Sequence, residues 1–329
     1  MVELKVKKRL IILLLAIAFP LSLIELTPAA EFTLRYAFEN PITHPMGRAS
    51  KIFAKRVAEL TNDRIAIRLY PASELGPATV AIEACQLGNI EIATGTFGNL
   101  SRFSRKFDIM SLPFLFRDYD HIKANLRGPL GQFFMQTAKE IGFEPLAMNT
   151  SGARHVYGKK PIRNLGDVRG LKIRVMEDKI LLETWRALGA IPTAVSLPEL
   201  YMALQMGIVD ATETTIMAWL SGSYYEVAPF ASRLNYADSG RMILMNAEFS
   251  KKLPKELFSA LKKAWAETED ILYGFYMEDE KNGVLEGTKR GATFIDIDPV
   301  PFKKATEVVY KKFPPTIGIE WIQKIQATK

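Results

Sequence analysis

Residues 161–215 read PIRNLGDVRGLKIRVMEDKILLETWRALGAIPTAVSLPELYMALQMGIVDATETT, and their pattern decides the fold class. Within 171–175, Leu171, Ile173 and Val175 alternate with Lys172 and Arg174. That period of two marks a short strand with one face to bury and one that carries positive charge. A helix-length run at 179–188 follows, then Gly189, a second extended run at 191–195 and a helix at 198–206. Strand, helix, strand, helix, strand is the order that a parallel α/β sheet requires, and such sheets take ligands at the carboxyl ends of their strands. Arg174 stands near such an end.

Upstream, the same alternation of elements predicts strands at 32–38, 65–70 and 90–94, with helices at 46–60 and 77–87 between them. Residues 95–101 read as a loop, 110–116 as an apolar crossing of the core, 131–141 as a helix and 144–148 as a strand. Downstream, 231–238 and 241–246 read as strands. From Pro254 a helical pattern continues for a very long way, with Gly274 and Gly283 as expected interruptions. A late strand at 294–297 and helices at 302–313 and 318–325 complete the chain. With no internal repeat and no spacer, two α/β lobes joined by several crossings are expected.

Residues 1–30 carry Lys5, Lys7, Lys8 and Arg9, then an apolar run, then Pro28-Ala29-Ala30, which is the layout of a cleaved export signal. The rival reading, an uncleaved anchor, is opposed by the short apolar run and Pro20. Removing the leader's four basic and two acidic residues from the chain's 43 and 36 leaves a net charge of +5, spread along the sequence. Such a balance suits a small anionic ligand. No dense basic run with interleaved aromatics supports nucleic-acid binding. The single cysteine, Cys85, lies in an apolar helical pattern and reads as an inert buried thiol.

No nucleophile elbow, phosphate loop, dinucleotide fingerprint or zinc-protease motif is present, and the three histidines are scattered. Neither a cofactor nor a metal is expected. A hydrolase using two carboxylates, for instance Glu39 and Glu213, is the enzyme alternative. A sensor reporting to a signalling partner is another.

Several runs stand in one order: His44-Pro45, Tyr70-Pro71 with Glu74-Leu75-Gly76, Leu112-Pro113-Phe114-Leu115-Phe116, Pro161-Ile162, the run 170–175, Leu188-Gly189-Ala190, the run 199–205 and Gly207-Ile208-Val209-Asp210. Together they resemble the extracytoplasmic solute-binding proteins of TRAP transporters over essentially the whole chain after the leader. The resemblance implies a periplasmic-binding-protein-like α/β fold of two lobes with mixed sheets, an interlobe cleft and a long helix spanning both lobes. The lobes are expected at 31–151 with 240–279, and at 152–239 with 280–329. It implies a periplasmic protein that binds a small organic acid and delivers it to a TRAP membrane permease.

The resemblance places a ligand-carboxylate arginine at Arg174, a supporting arginine at Arg154 and an apolar wall at Leu197. A guanidinium suits the first role because its planar fork matches both carboxylate oxygens. The alternatives for Arg174 are a solvated strand residue and a pairing with Asp178. After Gly207-Ile208-Val209-Asp210 the chain departs from the usual Gly-Gln-Glu-Asn-Pro: Glu213 is kept, but the ligand-binding amide becomes Thr214. A threonine hydroxyl is shorter and donates once, which sets a sugar acid or a plain dicarboxylate in doubt. The first lobe is expected to add Glu39, Thr96, Phe97 and Asn99 from its strand ends. Glu39 would meet a hydroxyl or amino group, or pair with Arg35 or Arg48. Phe97 and Phe103 would stack on an apolar tail or pack the core, and Trp219, Tyr224 and Tyr225 would line the far wall or the hinge.

Overall fold

The structure is a computed structural model that describes residues 30–238, 240–312 and 318–328, so the expected leader, apart from Ala30, lies outside the described residues. The strands are β1 (Phe32–Ala37), β2 (Ile65–Tyr70), β3 (Ile92–Thr96), β4 (Phe143–Asn149), β5 (Arg154–Gly158), β6 (Lys172–Val175), β7 (Ile191–Ala194), β8 (Ala211–Thr215), β9 (Phe230–Ala237), β10 (Arg241–Asn246) and β11 (Thr293–Asp296). They form a five-stranded sheet in the order β2-β1-β3-β10-β4 and a six-stranded sheet in the order β11-β9-β5-β8-β6-β7. Both are mixed. β1 runs parallel to β2 and β3, whereas β10 is antiparallel to β3 and β4. In the second sheet β6 is parallel to β7 and β8, and β5 is antiparallel to β8 and β9.

These directions decide which residues meet. The carboxyl ends of β1 and β3 share one sheet edge with the amino end of β10, where Arg241 lies opposite Thr96. In the second sheet the amino end of β5 places Arg154 opposite Thr215 at the carboxyl end of β8, next to the end of β6 that carries Arg174. The chain crosses between sheets from Asn149 to Arg154 and from Ala237 to Arg241, so both edges border one cleft.

The third connection is a single helix, Lys255–Lys289. At about 1.5 Å per residue it is about 50 Å long, enough to cover both lobes. Its first half stacks Trp265 on Phe53 of the helix Pro45–Thr61 at 4.5 Å between ring centres. The glycines expected to interrupt it do not. At Gly283 a Cβ would stand 2.7 Å from Ile216 Cδ1, so the missing side chain is what lets the helix lie close against the second lobe. The apolar run near 110–116 does cross the core: Leu112 and Leu115 are buried, and the Phe114 amide donates to the Tyr236 carbonyl of β9 at 2.6 Å.

Two further expectations differ from what is seen. Residues 95–101 are not a loop, because Thr96 and Asn99 cap each other and turn the chain into a short helix, Phe97–Leu100. The C-terminal helix Ile319–Ala327, expected with the second lobe, returns to the first. There Trp321 packs on Phe133 at 5.0 Å, and the Ile325 carbonyl lies 2.8 Å from His121 Nε2. Cys85 is buried within the first lobe, and burial pushes its thiol pKa well up, as an inert thiol requires.

Candidate ligand-binding cleft

The two sheet edges enclose a cavity lined from the first lobe by Glu39, Asn40, Thr96, Asn99 and Arg241, and from the second by Arg154, Arg174, Leu197 and Thr214. The enclosed room is about 40 Å³.

Arg174 is only 3% exposed although it lies on the polar side of its strand, on the wall of the cavity between the lobes. Its Nε donates to the Val195 carbonyl at 2.8 Å, which fixes the plane of the guanidinium. Among the described residues no carboxylate lies within ion-pair distance of it. Burial lowers its pKa from the ordinary arginine value; the charge of Glu213 partly opposes this and that of Arg154 adds to it. Asp178, the alternative partner, is engaged elsewhere. Its Oδ1 caps the helix Lys179–Ala187 by accepting from the Ile180 and Leu181 amides, and its Oδ2 accepts from Ser111.

Arg154 differs from Arg174 in being neutralised by the protein. Its Nε donates to Glu213 Oε2, and Glu213 also accepts from Tyr236 Oη at 2.6 Å and from the Met176 amide at 3.3 Å. Burial alone would lower the Arg154 pKa, but the charge and hydrogen bond of Glu213 outweigh it and hold it above the ordinary range. Burial and the same carboxylate push the Tyr236 hydroxyl well up. Glu213 is fully buried behind Arg154 and does not reach the cavity wall. It sets the position of Arg154. Glu39 and Glu213 therefore do not face a common substrate, and the paired-carboxylate hydrolase loses its geometry.

In the first lobe, Thr96 Oγ1 donates to Asn99 Oδ1 at 2.8 Å and accepts from the Asn99 amide. The Asn99 side-chain nitrogen is then the group this pair can offer a ligand. Glu39 joins neither of its expected partners: Arg35 pairs with Glu91 at 2.7 Å and Arg48 with Asp279 at 2.8 Å. Phe97 is not on the cavity. The capped turn aims its ring into the core, 4.6 Å from Phe134 and 5.7 Å from Phe107. Phe103 packs on Phe143. Trp219 is likewise core, stacked on Tyr157, while Tyr224 donates to the Leu197 carbonyl and Tyr225 accepts from Arg290 at the surface. Sequence reasoning missed Asn40, Thr79, Ser151, Ser196, Thr215 and Arg241 on the wall. Only Arg241 had a signal, as an arginine heading an otherwise apolar strand.

The lobes are closed on one another. Besides the bond from Ser111 to Asp178, a Cβ at Gly98 would stand 2.3 Å from Asp178 Oδ2 across the cleft. Gly98→Ala is therefore expected to oppose closure without disturbing either lobe. At about 1–3 kcal/mol for a forced contact, the ligand Kd should weaken about 5- to 150-fold while the ligand-free melting temperature stays put. Isothermal titration and a thermal melt check this together.

Fold and cleft define a two-lobed solute receptor. Residues 36–315 match the model of bacterial extracellular solute-binding protein family 7. A solute-binding protein from Verminephrobacter eiseniae is 30% identical over 92% of this chain and 91% of its own length. A TRAP periplasmic solute binding protein from Sulfurospirillum deleyianum, solved with bound succinate, superposes with a TM-score of 0.88 at 30% identity, covering 91% of this chain and all of that one. One from Polaromonas, bound to D-erythronate, gives 0.88 at 30% identity, covering 91% of this chain and 99% of that one. The chain belongs to bacterial extracellular solute-binding protein family 7; it is a solute-binding protein of the TRAP type and not an enzyme.

Proposed function

We propose that this protein captures one small organic carboxylate between its lobes in the periplasm and hands it to a TRAP membrane permease. The leader at 1–30 is removed on export. The observation that carries the reading is Arg174, buried in the cavity, held through Nε and lacking a carboxylate partner among the described residues. A buried guanidinium without an anion is costly, and a ligand carboxylate supplies what the protein omits. In this arrangement Arg174 takes the carboxylate as a fork, Arg154 and Thr214 flank it, and Leu197 forms an apolar wall. Asn99 and Thr96 close from the first lobe, and Glu39 accepts from a ligand hydroxyl or amino group. The closed state makes both sets of contacts at once, so ligand shifts the population toward closure.

A thermal-shift screen of residues 31–329 tests this. Organic acids well above their Kd should raise the melting temperature, by about 2.7 kcal/mol of added stability at a hundredfold excess over Kd, whereas the matching amides and esters should not. Shifts by neutral or cationic compounds alone would overturn the carboxylate reading. The relatives bound to succinate and D-erythronate make four-carbon acids the first compounds to try.

A further inference from the structure

A second space opens from the cleft. Its volume is about 200 Å³, and it shares Glu39, Asn40, Leu197 and Ala218 with the cavity that holds Arg174. It too lies between the lobes: Pro41, Ala72 and Ser73 line it from the first, and Pro198, Tyr201 and Tyr224 from the second. Glu39 and Tyr224 mark the junction, since the charges of Arg174 and Glu39 both act on the Tyr224 hydroxyl. A ligand with its carboxylate on Arg174 can therefore extend past Glu39 into this annex.

The annex differs in chemistry from the cavity. No arginine or lysine stands on its wall, and its one charge is the half-buried carboxylate of Glu39. A second acidic group placed here would meet a like charge and no counter-ion, which is unfavourable in a partly desolvated space. Most of the wall is apolar. Tyr201 donates to Glu226 at 2.8 Å and Tyr224 to the Leu197 carbonyl at 3.3 Å, so the protein takes up both hydroxyls and leaves a ligand the carbon of the two rings. Ser73 and Ser221, one on each lobe's wall, have buried hydroxyls without a partner among the described residues. Each can receive a polar substituent on an otherwise apolar body. Ala72, Ser73 and Ser223, the last of them next to Tyr224, hold left-handed backbone with φ of 50°, 60° and 55°. Residues with a side chain adopt that conformation at a cost, and such positions gather at ligand sites.

We propose that the annex is a side-chain subsite and that the preferred ligand is a monocarboxylate with a bulky uncharged body, of the type of an aromatic 2-hydroxy acid. The carboxylate lies on Arg174, the 2-hydroxyl donates to Glu39 and the ring fills the annex. This rests on the reading of the cleft as a carboxylate site. It departs from succinate and D-erythronate, the acids of the relatives above, in what occupies the space beyond the carboxylate. It also fits the doubt that Thr214 raises over dicarboxylates and sugar acids, because the body of the ligand is then selected by the annex and not by the residue at 214.

The experiment is calorimetric titration of residues 31–329 with three 2-hydroxy acids that differ only in what the third carbon carries: nothing in lactate, a carboxylate in malate and a phenyl ring in 3-phenyllactate. Phenyllactate is expected to bind at least about tenfold more tightly than lactate, the factor that burying one ring supplies, and malate no more tightly than lactate. Ser221→Phe fills the annex from a position off the cavity wall and should bring the ratio of phenyllactate to lactate affinity below about threefold, because the space is then occupied. Should Ser221→Phe fail to fold, Tyr201→Ala takes one ring off the annex wall and should lower the same ratio by about 2- to 10-fold. Malate bound more tightly than phenyllactate, or a ratio left unchanged by the annex variants, overturns the subsite while the carboxylate site stands. Binding of none of the three acids, with neutral or cationic compounds bound instead, overturns the carboxylate reading and this inference with it.

Discussion

Arg174→Ala is expected to lose ligand binding by about 3–5 kcal/mol, the cost of stripping a desolvated carboxylate of its charge partner, or about two to three and a half orders of magnitude in Kd. The ligand-free protein should respond in the opposite direction. Arg174 is buried with the lobes closed, and burial is what lowers its pKa, so closing without ligand costs the desolvation of a charge that no carboxylate of the protein pairs. Removing it should leave the ligand-free melting temperature unchanged or raise it. A purely structural arginine would do the reverse, lowering the melting temperature and leaving affinity alone. Arg174→Lys should bind poorly too, because an ammonium cannot copy the fork and cannot keep the bond that Nε makes to the Val195 carbonyl. Titration with the tightest acid and a melt of each ligand-free variant separate these outcomes. Unchanged affinity in Arg174→Ala would remove the residue from the site.

How far the sequence could be read depends on the kind of question. The alternation at 171–175 was enough to put Arg174 at a strand end, because a period of two fixes the side on which each residue falls. It could not show that this side is buried, since the cavity it faces is also lined by residues far away in sequence, such as Glu39 and Thr96. The long helix was legible from its apolar stripe, but Gly283 looked like a break when it is a point of close approach, which depends on Ile216 being there. Of the two roles open to Phe97 in the sequence, the fold selects core packing and not the ligand wall, because the capping pair Thr96 and Asn99 turns the chain so that the ring enters the core. The helix Ile319–Ala327 has a clear amphipathic pattern, yet a pattern says that a face is covered and not by what. Resemblance puts Glu213 in the site, and only the fold separates touching a ligand from holding the residue that does. Arg241 stood in plain view before the apolar Met242-Ile243-Leu244-Met245, and a buried strand that opens with an arginine deserved an explanation.

Glu213→Gln discriminates between these two roles. As a positioning residue, Glu213 neutralises a buried Arg154, and the amide leaves that guanidinium without a counter-charge while keeping an oxygen for its Nε to donate to. Fold stability should fall by about 3–5 kcal/mol, readable as a shift of the urea midpoint with the slope unchanged. Carboxylate affinity should move the other way. Glu213 is a negative charge close enough to act on Arg174, so it opposes the arrival of an anion, and its removal leaves the cavity one unit more positive. At an effective dielectric near 20 such a gain is worth about 1–2 kcal/mol over a separation of about 10 Å, or about 5- to 30-fold in Kd. A glutamate that contacts the ligand directly predicts the opposite pair of results, a stable fold with weakened binding, because the ligand would lose a charged acceptor. A urea melt and a titration on the same preparation therefore read the role of Glu213 from two signs: stability down with affinity up places it behind Arg154, and stability held with affinity down places it on the ligand.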